Sequence, residues 1–225
     1  MDHSKLFDGY DLSGIKRGED FKFDPDRFRD VLKYFSLDSL VTEKNGVQRP
    51  EFSGNMDDVV DVSMNQQAVT RATDAKPVLA TFGLGPCVSL VGYEPSEKVG
   101  FLTHYSASTE VNNSFPNLLA TLYRIGLSHD GPTRFEVRLV GGWEREDKLI
   151  QELKTRVRHG TMFNMEIVEE DTGYVEEGRS VALDTRTGEL FSYSPKNNPH
   201  TKIPDELEIM EMLIPCPADL VYSPR

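Results

Sequence analysis

The sequence predicts an α/β sandwich, a layered mixed sheet packed with helices. Apolar residues recur at the spacing of one helix face in two segments: Phe115, Leu118, Leu119, Leu122 and Ile125 in the first, and Leu149, Ile150, Leu153 and Val157 in the second. Between them, Phe135, Val137 and Leu139 alternate with charged residues, as in a strand with one buried face. Strands and helices therefore mix along the chain, an order typical of layered α/β proteins.

Further strands and turns are predicted between about residues 78 and 193. Three strands are expected over 78–81, 88–93 and 99–104, and another over 162–168. Segments 180–183 and 190–193 predict a hairpin around the turn at Thr187-Gly188. Gly126 and Gly160 are expected to end the two helices, because glycine readily takes the left-handed conformation beyond a helix C-terminus.

The 225 residues fit one good-sized core with appendages. We expect an N-terminal extension over 1–57, a main domain over 58–195 and a C-terminal tail over 196–225. The extension carries one amphipathic helix (Phe28, Val31, Leu32 and Phe35), then a linker or mobile loop over 42–57. The helix either packs on the main domain or docks onto a partner. The tail, with a short helix over 206–213, either folds back on the domain or masks its pocket.

Charge and cysteine content exclude several classes of function. The formal net charge of −12 argues against nucleic acid, because phosphate binding relies on lysine and arginine. No apolar run approaches the roughly 20 residues of a membrane helix, and no secretory signal begins the chain. We therefore expect a cytoplasmic protein without membrane insertion, with delivery by a dedicated secretion system left open. Cys87 and Cys216 form neither a disulfide framework nor a metal-ligand spacing, so no cofactor or metal is expected.

One glycine-rich segment contains the candidate catalytic cysteine. Residues 81–87 read T-F-G-L-G-P-C, and His104 follows Cys87 by seventeen residues, at the end of the next predicted strand. An imidazole beside a thiol of pKa about 8.5 would make it a nucleophile for amide or ester carbonyls, as an ion pair ready before substrate arrives. Thr81 is the nearest hydroxyl that could orient the ring. The alternative is that Cys87 is a small buried apolar residue.

The glycines of this segment, Gly83 and Gly85, let the backbone bend and approach a ligand closely. The backbone N–H of Cys87 could then face a developing oxyanion. Together with Thr103, which precedes His104, the two glycines are predicted to contact the substrate.

The chain from about residue 60 to 193 resembles the CheD family of chemoreceptor glutamine deamidases. The family's T-x-G-x-G-S-C turn stands at 81–87 with proline in place of serine, and its Y-D-P-x-x-x-x-G-G-x-x-H strand stands at 93–104 as Y-E-P-S-E-K-V-G-F-L-T-H. Its G-G-A strand end appears as G-G-W at 141–143, and its late D-x-G, R-S-V and T-G elements begin at Asp171, Arg179 and Thr187.

The resemblance implies a cysteine-dependent hydrolase that converts a protein glutamine to glutamate and releases ammonia. By position, Cys87 matches the family nucleophile, His104 the general base, and Thr81 the residue that orients the base. It also implies the α/β sandwich shared with bacterial toxin deamidases, and some activity on glutamate methyl esters.

Two loops depart from the family pattern and leave the target open. Tyr105-Ser106-Ala107-Ser108-Thr109 replaces an apolar, proline-containing loop, and the G-x-R-N element after Trp143 is missing. The substrate is a chemoreceptor by resemblance, or another protein, including one of a host cell. The rival hypothesis is a non-catalytic binding protein that regulates a partner such as a CheC-type phosphatase, with which the family is associated.

Overall fold

The computed structural model describes residues 46–127, 133–143, 148–159, 163–175, 178–202, 204, 208, 212 and 214–224. The amphipathic helix predicted around Phe28 lies outside them, as does most of the helix predicted over 206–213. Two helices and ten strands within the described residues confirm the mixed α/β class. No helix in this part of the chain is long and apolar enough to cross a lipid bilayer.

The elements follow in chain order. The strands before the first helix are β1 (Val59–Asp61), β2 (Gln66–Arg71), β3 (Val78–Leu84), β4 (Val88–Glu94) and β5 (Val99–His104). Helix α1 (Val111–Arg124) is followed by β6 (Arg134–Gly141), α2 (Lys148–His159) and β7 (Asn164–Thr172). The remaining strands are β8 (Arg179–Asp184), β9 (Glu189–Ser192) and β10 (Asp219–Tyr222), with short 3-10 turns at Met56–Asp58 and Pro195–Asn197.

The strands form two sheets of mixed direction. A four-stranded sheet has the order β1-β3-β8-β9, and a six-stranded sheet has the order β10-β2-β5-β4-β6-β7. One core cluster joins the six-stranded sheet to the helices, through residues such as Phe101, Phe115 and Leu153. Another, which includes Leu79 and Leu102, lies between the two sheets. The predicted sandwich is therefore a six-stranded sheet with helices on one face and the smaller sheet on the other.

Most sequence-predicted elements are present, with longer bounds. Helix α1 ends where Gly126 takes a left-handed conformation (φ +90°), as predicted, and Gly188 (φ +78°) makes the β8–β9 turn. Gly160 lies outside the described residues. Strands β1, β2 and β10 were not predicted.

Residues on both sides of the predicted main domain pack onto the sandwich. Phe52, within the predicted linker, is buried and contacts Phe191 edge to face. Near the other end, β10 pairs with β2 in parallel and so extends the six-stranded sheet. The described part of the segment over 42–57 is therefore packed rather than a mobile loop, because its aromatic side chain is buried in a core cluster with residues of β1, β3 and β8.

Candidate active site

A bulge at the end of β3 shapes the glycine-rich turn. Thr81 pairs with Val181 and Leu84 with Arg179, so β3 carries one extra residue between these pairs. Gly83 has a left-handed conformation (φ +73°), and the Gly85 N–H donates to the Gly83 carbonyl over 2.9 Å. Such a bulge needs a residue that tolerates positive φ, which is what glycine offers. The bend leads directly to Cys87 at the start of β4.

The pairing of β4 with β5 puts Cys87 and His104 on one face. Val88 and Tyr105 exchange both backbone hydrogen bonds, at 2.8 and 2.9 Å. Cys87 and His104 each precede one member of this pair, so both side chains point to the face opposite Val88 and Tyr105, toward the smaller sheet. Residues in this diagonal relation have Cα atoms about 7–8 Å apart. The thiol and the imidazole are therefore neighbours at one end of the two strands.

Thr81, on the overlying sheet, fixes the orientation of the histidine ring. Its Oγ1 lies 2.7 Å from His104 Nδ1 and also donates to the Val62 carbonyl over 2.7 Å. A hydroxyl has one proton to donate, so toward the ring Thr81 acts as an acceptor. His104 Nδ1 must then carry the ring proton, which leaves Nε2 with a lone pair. This is the tautomer that a general base needs when the nucleophile meets Nε2.

All three side chains are almost fully enclosed. Cys87 is 2% exposed, and His104 and Thr81 are 0% exposed. Burial lowers the pKa of His104 to about 3, because a low-dielectric interior disfavours the imidazolium. The sequence argument expected a thiolate–imidazolium pair that exists before substrate arrives. In this closed arrangement the imidazole is neutral at physiological pH, and burial is the reason for the difference.

Two contacts that sequence reasoning missed hold Cys87 in place. Its Sγ lies 3.7 Å from the Sδ of Met64, a residue that is 1% exposed. Its carbonyl accepts the Gly142 N–H over 2.9 Å. At Gly141 (φ +102°) a Cβ atom would come within 2.3 Å of that carbonyl oxygen. The Gly141-Gly142 pair at the end of β6 could have indicated from the sequence that two backbones approach closely here. No sequence pattern predicts the contact of Met64.

The three residues predicted to contact the substrate lie in two different parts of the structure. Gly83 and Gly85 lie in the bend that precedes Cys87. The Thr103 side chain lies on the opposite face of β5 from His104, and its Oγ1 accepts the Leu90 N–H over 3.0 Å. Cys216 is not joined to Cys87 in a disulfide. Within the described ranges, no three His, Cys, Asp or Glu side chains are placed to hold a metal ion.

A polar cluster surrounds the strand end that carries His104. Asn65, in a left-handed conformation (φ +58°), donates its backbone N–H to the His104 carbonyl over 2.8 Å. Its side-chain Oδ1 accepts the hydroxyls of Ser106 and Thr109, at 2.9 and 2.5 Å. Asn65 therefore fixes both the backbone of His104 and the divergent loop that follows it.

Comparison with curated proteins gives relatives of one kind. The chain is 31% identical over 130 residues to the probable chemoreceptor glutamine deamidase CheD of Methanosarcina barkeri, a match that covers 50% of this chain and 83% of the relative. It is 29% identical over 161 residues to the probable chemoreceptor glutamine deamidase CheD 1 of Methanosarcina acetivorans, covering 59% of this chain and 90% of that protein.

A third relative is the probable chemoreceptor glutamine deamidase CheD of Thermococcus kodakarensis, 26% identical over 151 residues, with 58% of this chain and 89% of the relative covered. A scan against models of protein families finds no match. The likeness to the Methanosarcina barkeri protein nevertheless extends over most of that relative at 31% identity. As its motifs predicted, the chain belongs to the CheD family.

Proposed function

We propose that this protein is a cysteine-dependent protein-glutamine deamidase. The observation that carries the proposal is the hydrogen-bond chain from Val62 through Thr81 to His104 Nδ1, which leaves Nε2 as the basic nitrogen on the face that also bears Cys87. The relatives are named as chemoreceptor glutamine deamidases, which supports a protein glutamine as the substrate. Chemotaxis is the corresponding context.

In the proposed reaction, His104 moves a proton at each step. Nε2 takes the proton of the Cys87 thiol as Sγ attacks the amide carbon of a glutamine side chain. The imidazolium then protonates the nitrogen, the C–N bond breaks and ammonia leaves, which gives a thioester on Cys87. A water molecule passes a proton to Nε2 and attacks the thioester carbonyl. When the C–S bond breaks, that proton returns to sulfur and the product is glutamate.

The oxyanion of each tetrahedral intermediate needs hydrogen-bond donors. We propose the backbone N–H of Cys87, with Gly83 and Gly85 providing room for close approach. Pro86 has no N–H and cannot contribute. For Thr103 a direct substrate contact is the sequence-based proposal; its hydroxyl already accepts the Leu90 N–H, so its contribution would be to hold the β4–β5 pair around the site.

The burial of the thiol favours one alternative. With Cys87 only 2% exposed, the protein in this closed form could act as a non-catalytic binding protein that regulates a partner such as a CheC-type phosphatase. The two functions differ in one measurable property, namely whether the target protein changes its mass.

A deamidation assay decides between them. Purified protein is incubated with the cytoplasmic part of a chemoreceptor, and the target is analysed by intact mass and peptide mapping. Each converted glutamine adds about one dalton and one negative charge, because a carboxyl of pKa about 4 replaces an amide. We expect conversion by the wild type and none by Cys87→Ala. Cys216→Ser is the control for the second thiol: conversion by this variant, with none by Cys87→Ala, assigns the nucleophile to Cys87.

Two results would contradict the proposal. If Cys87→Ala converts the target as fast as the wild type, the nucleophile is misassigned. If the wild type leaves every glutamine of the chemoreceptor and of proteins captured by Cys87→Ala unchanged, while still binding them, the regulatory alternative replaces the enzyme.

A further inference from the structure

A surface cavity lies one side chain away from the Cys87 thiol. Its volume is about 400 Å³, within the roughly 300–1,000 Å³ of small-molecule sites. One wall is the turn into β2, including Ser63, Met64 and Asn65, and the other is the C-terminal segment, including Met212 and Cys216. The cavity therefore lies between the catalytic domain of the family and a segment beyond the predicted main domain.

Met64 is the partition between this cavity and the nucleophile. It lines the cavity, and its Sδ contacts Cys87 Sγ at 3.7 Å. Methionine is unbranched and has three rotatable side-chain bonds, so it changes rotamer more easily than other apolar residues of its size. A rotation of this one side chain would connect the cavity to the thiol without unfolding either sheet.

Polar contacts hold the C-terminal wall, and Met212 also packs against the core cluster that includes Cys87 and Met64. The Met212 carbonyl accepts hydrogen bonds from Asn65 Nδ2 and from Ser108 Oγ. The Cys216 N–H donates to the Ser108 carbonyl over 3.2 Å, and the Cys216 carbonyl accepts the Glu110 N–H over 2.9 Å. The divergent loop after His104 is thus the docking site of the chain's own C-terminal segment. Because hydrogen bonds of this kind exchange with water at small net cost, the wall can adapt to a ligand.

We propose that this cavity admits the substrate glutamine and that Met64 is the gate between it and Cys87. The proposal rests on the deamidase function proposed above and adds the route of entry. The side chain of a glutamine on a protein surface enters between the β2 turn and the C-terminal segment and displaces the Met64 thioether from the sulfur. Lys202, Glu208 and Asp219 line the same cavity, so polar and charged neighbours of the target glutamine suit it.

Alkylation of Cys87 tests the gate without requiring catalysis. The rate of reaction with iodoacetamide at pH 7.5 is measured by peptide mass mapping, for the wild type and for Met64→Ala. We expect Met64→Ala to react at least about tenfold faster at Cys87, because the local opening that limits access is no longer needed. General loosening is measured as the free energy of unfolding of each variant in urea, because Cys216 lines the same cavity as Met64 and its alkylation rate would report both effects.

Met165→Ala is the matched control. Met165 is also buried, but it lies in the core between the six-stranded sheet and the helices. Its truncation loosens the fold to a comparable degree without removing the partition, so Cys87 keeps its wild-type rate. If Met165→Ala accelerates Cys87 as much as Met64→Ala does, or if folded Met64→Ala reacts at the wild-type rate, the gate is overturned.

Met64→Leu covers the case in which Met64→Ala does not fold. Leucine keeps the volume but reaches less far, so we expect an acceleration of about threefold from easier local opening. An unchanged or slower rate in folded Met64→Leu overturns the gate.

The two proposals fail separately. Faster alkylation in Met64→Ala with no deamidation by any variant keeps Met64 as the barrier in front of the thiol and removes the enzyme, together with the route for its substrate. Deamidation by the wild type, with alkylation that is insensitive to Met64, keeps the enzyme and removes the gate.

Discussion

The tautomer of His104 depends on a single hydroxyl proton. Thr81 Oγ1 donates to the Val62 carbonyl and therefore accepts from Nδ1. Without that acceptor, the ring could place its proton on Nε2 and could no longer take one from the Cys87 thiol. The role of Thr81 is thus to position the base, because it is His104 that meets the reacting atoms.

We predict that Thr81→Val lowers the kcat of deamidation by roughly 10²-fold with little change in KM, because valine has the shape of threonine but no hydroxyl. Thr81→Ser keeps the hydroxyl and should recover most of the activity. The measurement is the initial rate of glutamate formation as a function of substrate and pH for the three proteins. Equal losses in Thr81→Val and Thr81→Ser would indicate a packing role instead.

At the scale of single residues, Thr81, Cys87 and His104 could be proposed from the sequence, because two neighbouring motifs at 81–87 and 93–104 contain them. Asn65 and Met64 could not be predicted. Their contacts with the His104 backbone and the Cys87 sulfur join the turn before β2 to other parts of the chain. No local pattern encodes such a contact, since it exists only after the strands have paired.

A buried charge network ties several elements together near the end of β7. Asp171 accepts hydrogen bonds from Arg179 at the start of β8 and from Arg49 in the segment before β1, at 2.9 and 2.8 Å. All three side chains are at most 4% exposed. Arg49 is also paired with Glu169. Loss of Asp171 would therefore leave mainly the buried Arg179 guanidinium without its carboxylate, and an uncompensated buried charge is costly.

We predict that Asp171→Asn lowers the free energy of unfolding by about 3–5 kcal/mol, because it removes the carboxylate that pairs with the buried guanidinium of Arg179, whereas Arg49 keeps its second partner Glu169. Glu166→Gln is the control. Glu166 also lies on β7, and its pair with Arg134 of β6 has half-exposed side chains and is worth about 0–1 kcal/mol. Urea denaturation at pH 7.5 measures both. Similar losses of unfolding free energy in the two variants would show that the buried network stabilises the protein no more than the exposed pair does.

At the scale of elements, alternation and helical spacing located β6, α1 and α2, because apolar and polar residues fall on different faces of each element. Strand β2 gives no such pattern, since Gln67, Ala68, Val69 and Thr70 are all buried. Strand β10 is short and mostly exposed, and it exists through pairing with β2. A strand that is buried on both faces, or that forms only by pairing with another strand, shows no alternation of apolar and polar residues in its sequence.

The whole molecule encloses the imidazole between two sheets, so its protonation is linked to folding. The pKa of His104 falls from 6.5 to about 3 in the folded protein. Between these values the unfolded chain binds a proton that the folded chain does not. The stability associated with the neutral ring is therefore fully present above pH 6.5 and is lost as the pH falls toward 3.

We predict that the free energy of unfolding of the wild type falls with decreasing pH below about 6.5, and that His104 contributes a slope of up to about 1.4 kcal/mol per pH unit. His104→Gln has no titrating ring at this position. The difference in slope between the wild type and this variant therefore gives the contribution of His104, separate from that of the carboxylates. Urea denaturation between pH 5 and pH 8 measures it. Parallel curves for the wild type and His104→Gln would mean that the ring takes up its proton in the folded state, and that the two sheets do not seal the site as tightly as the packing around Thr81 and Cys87 implies.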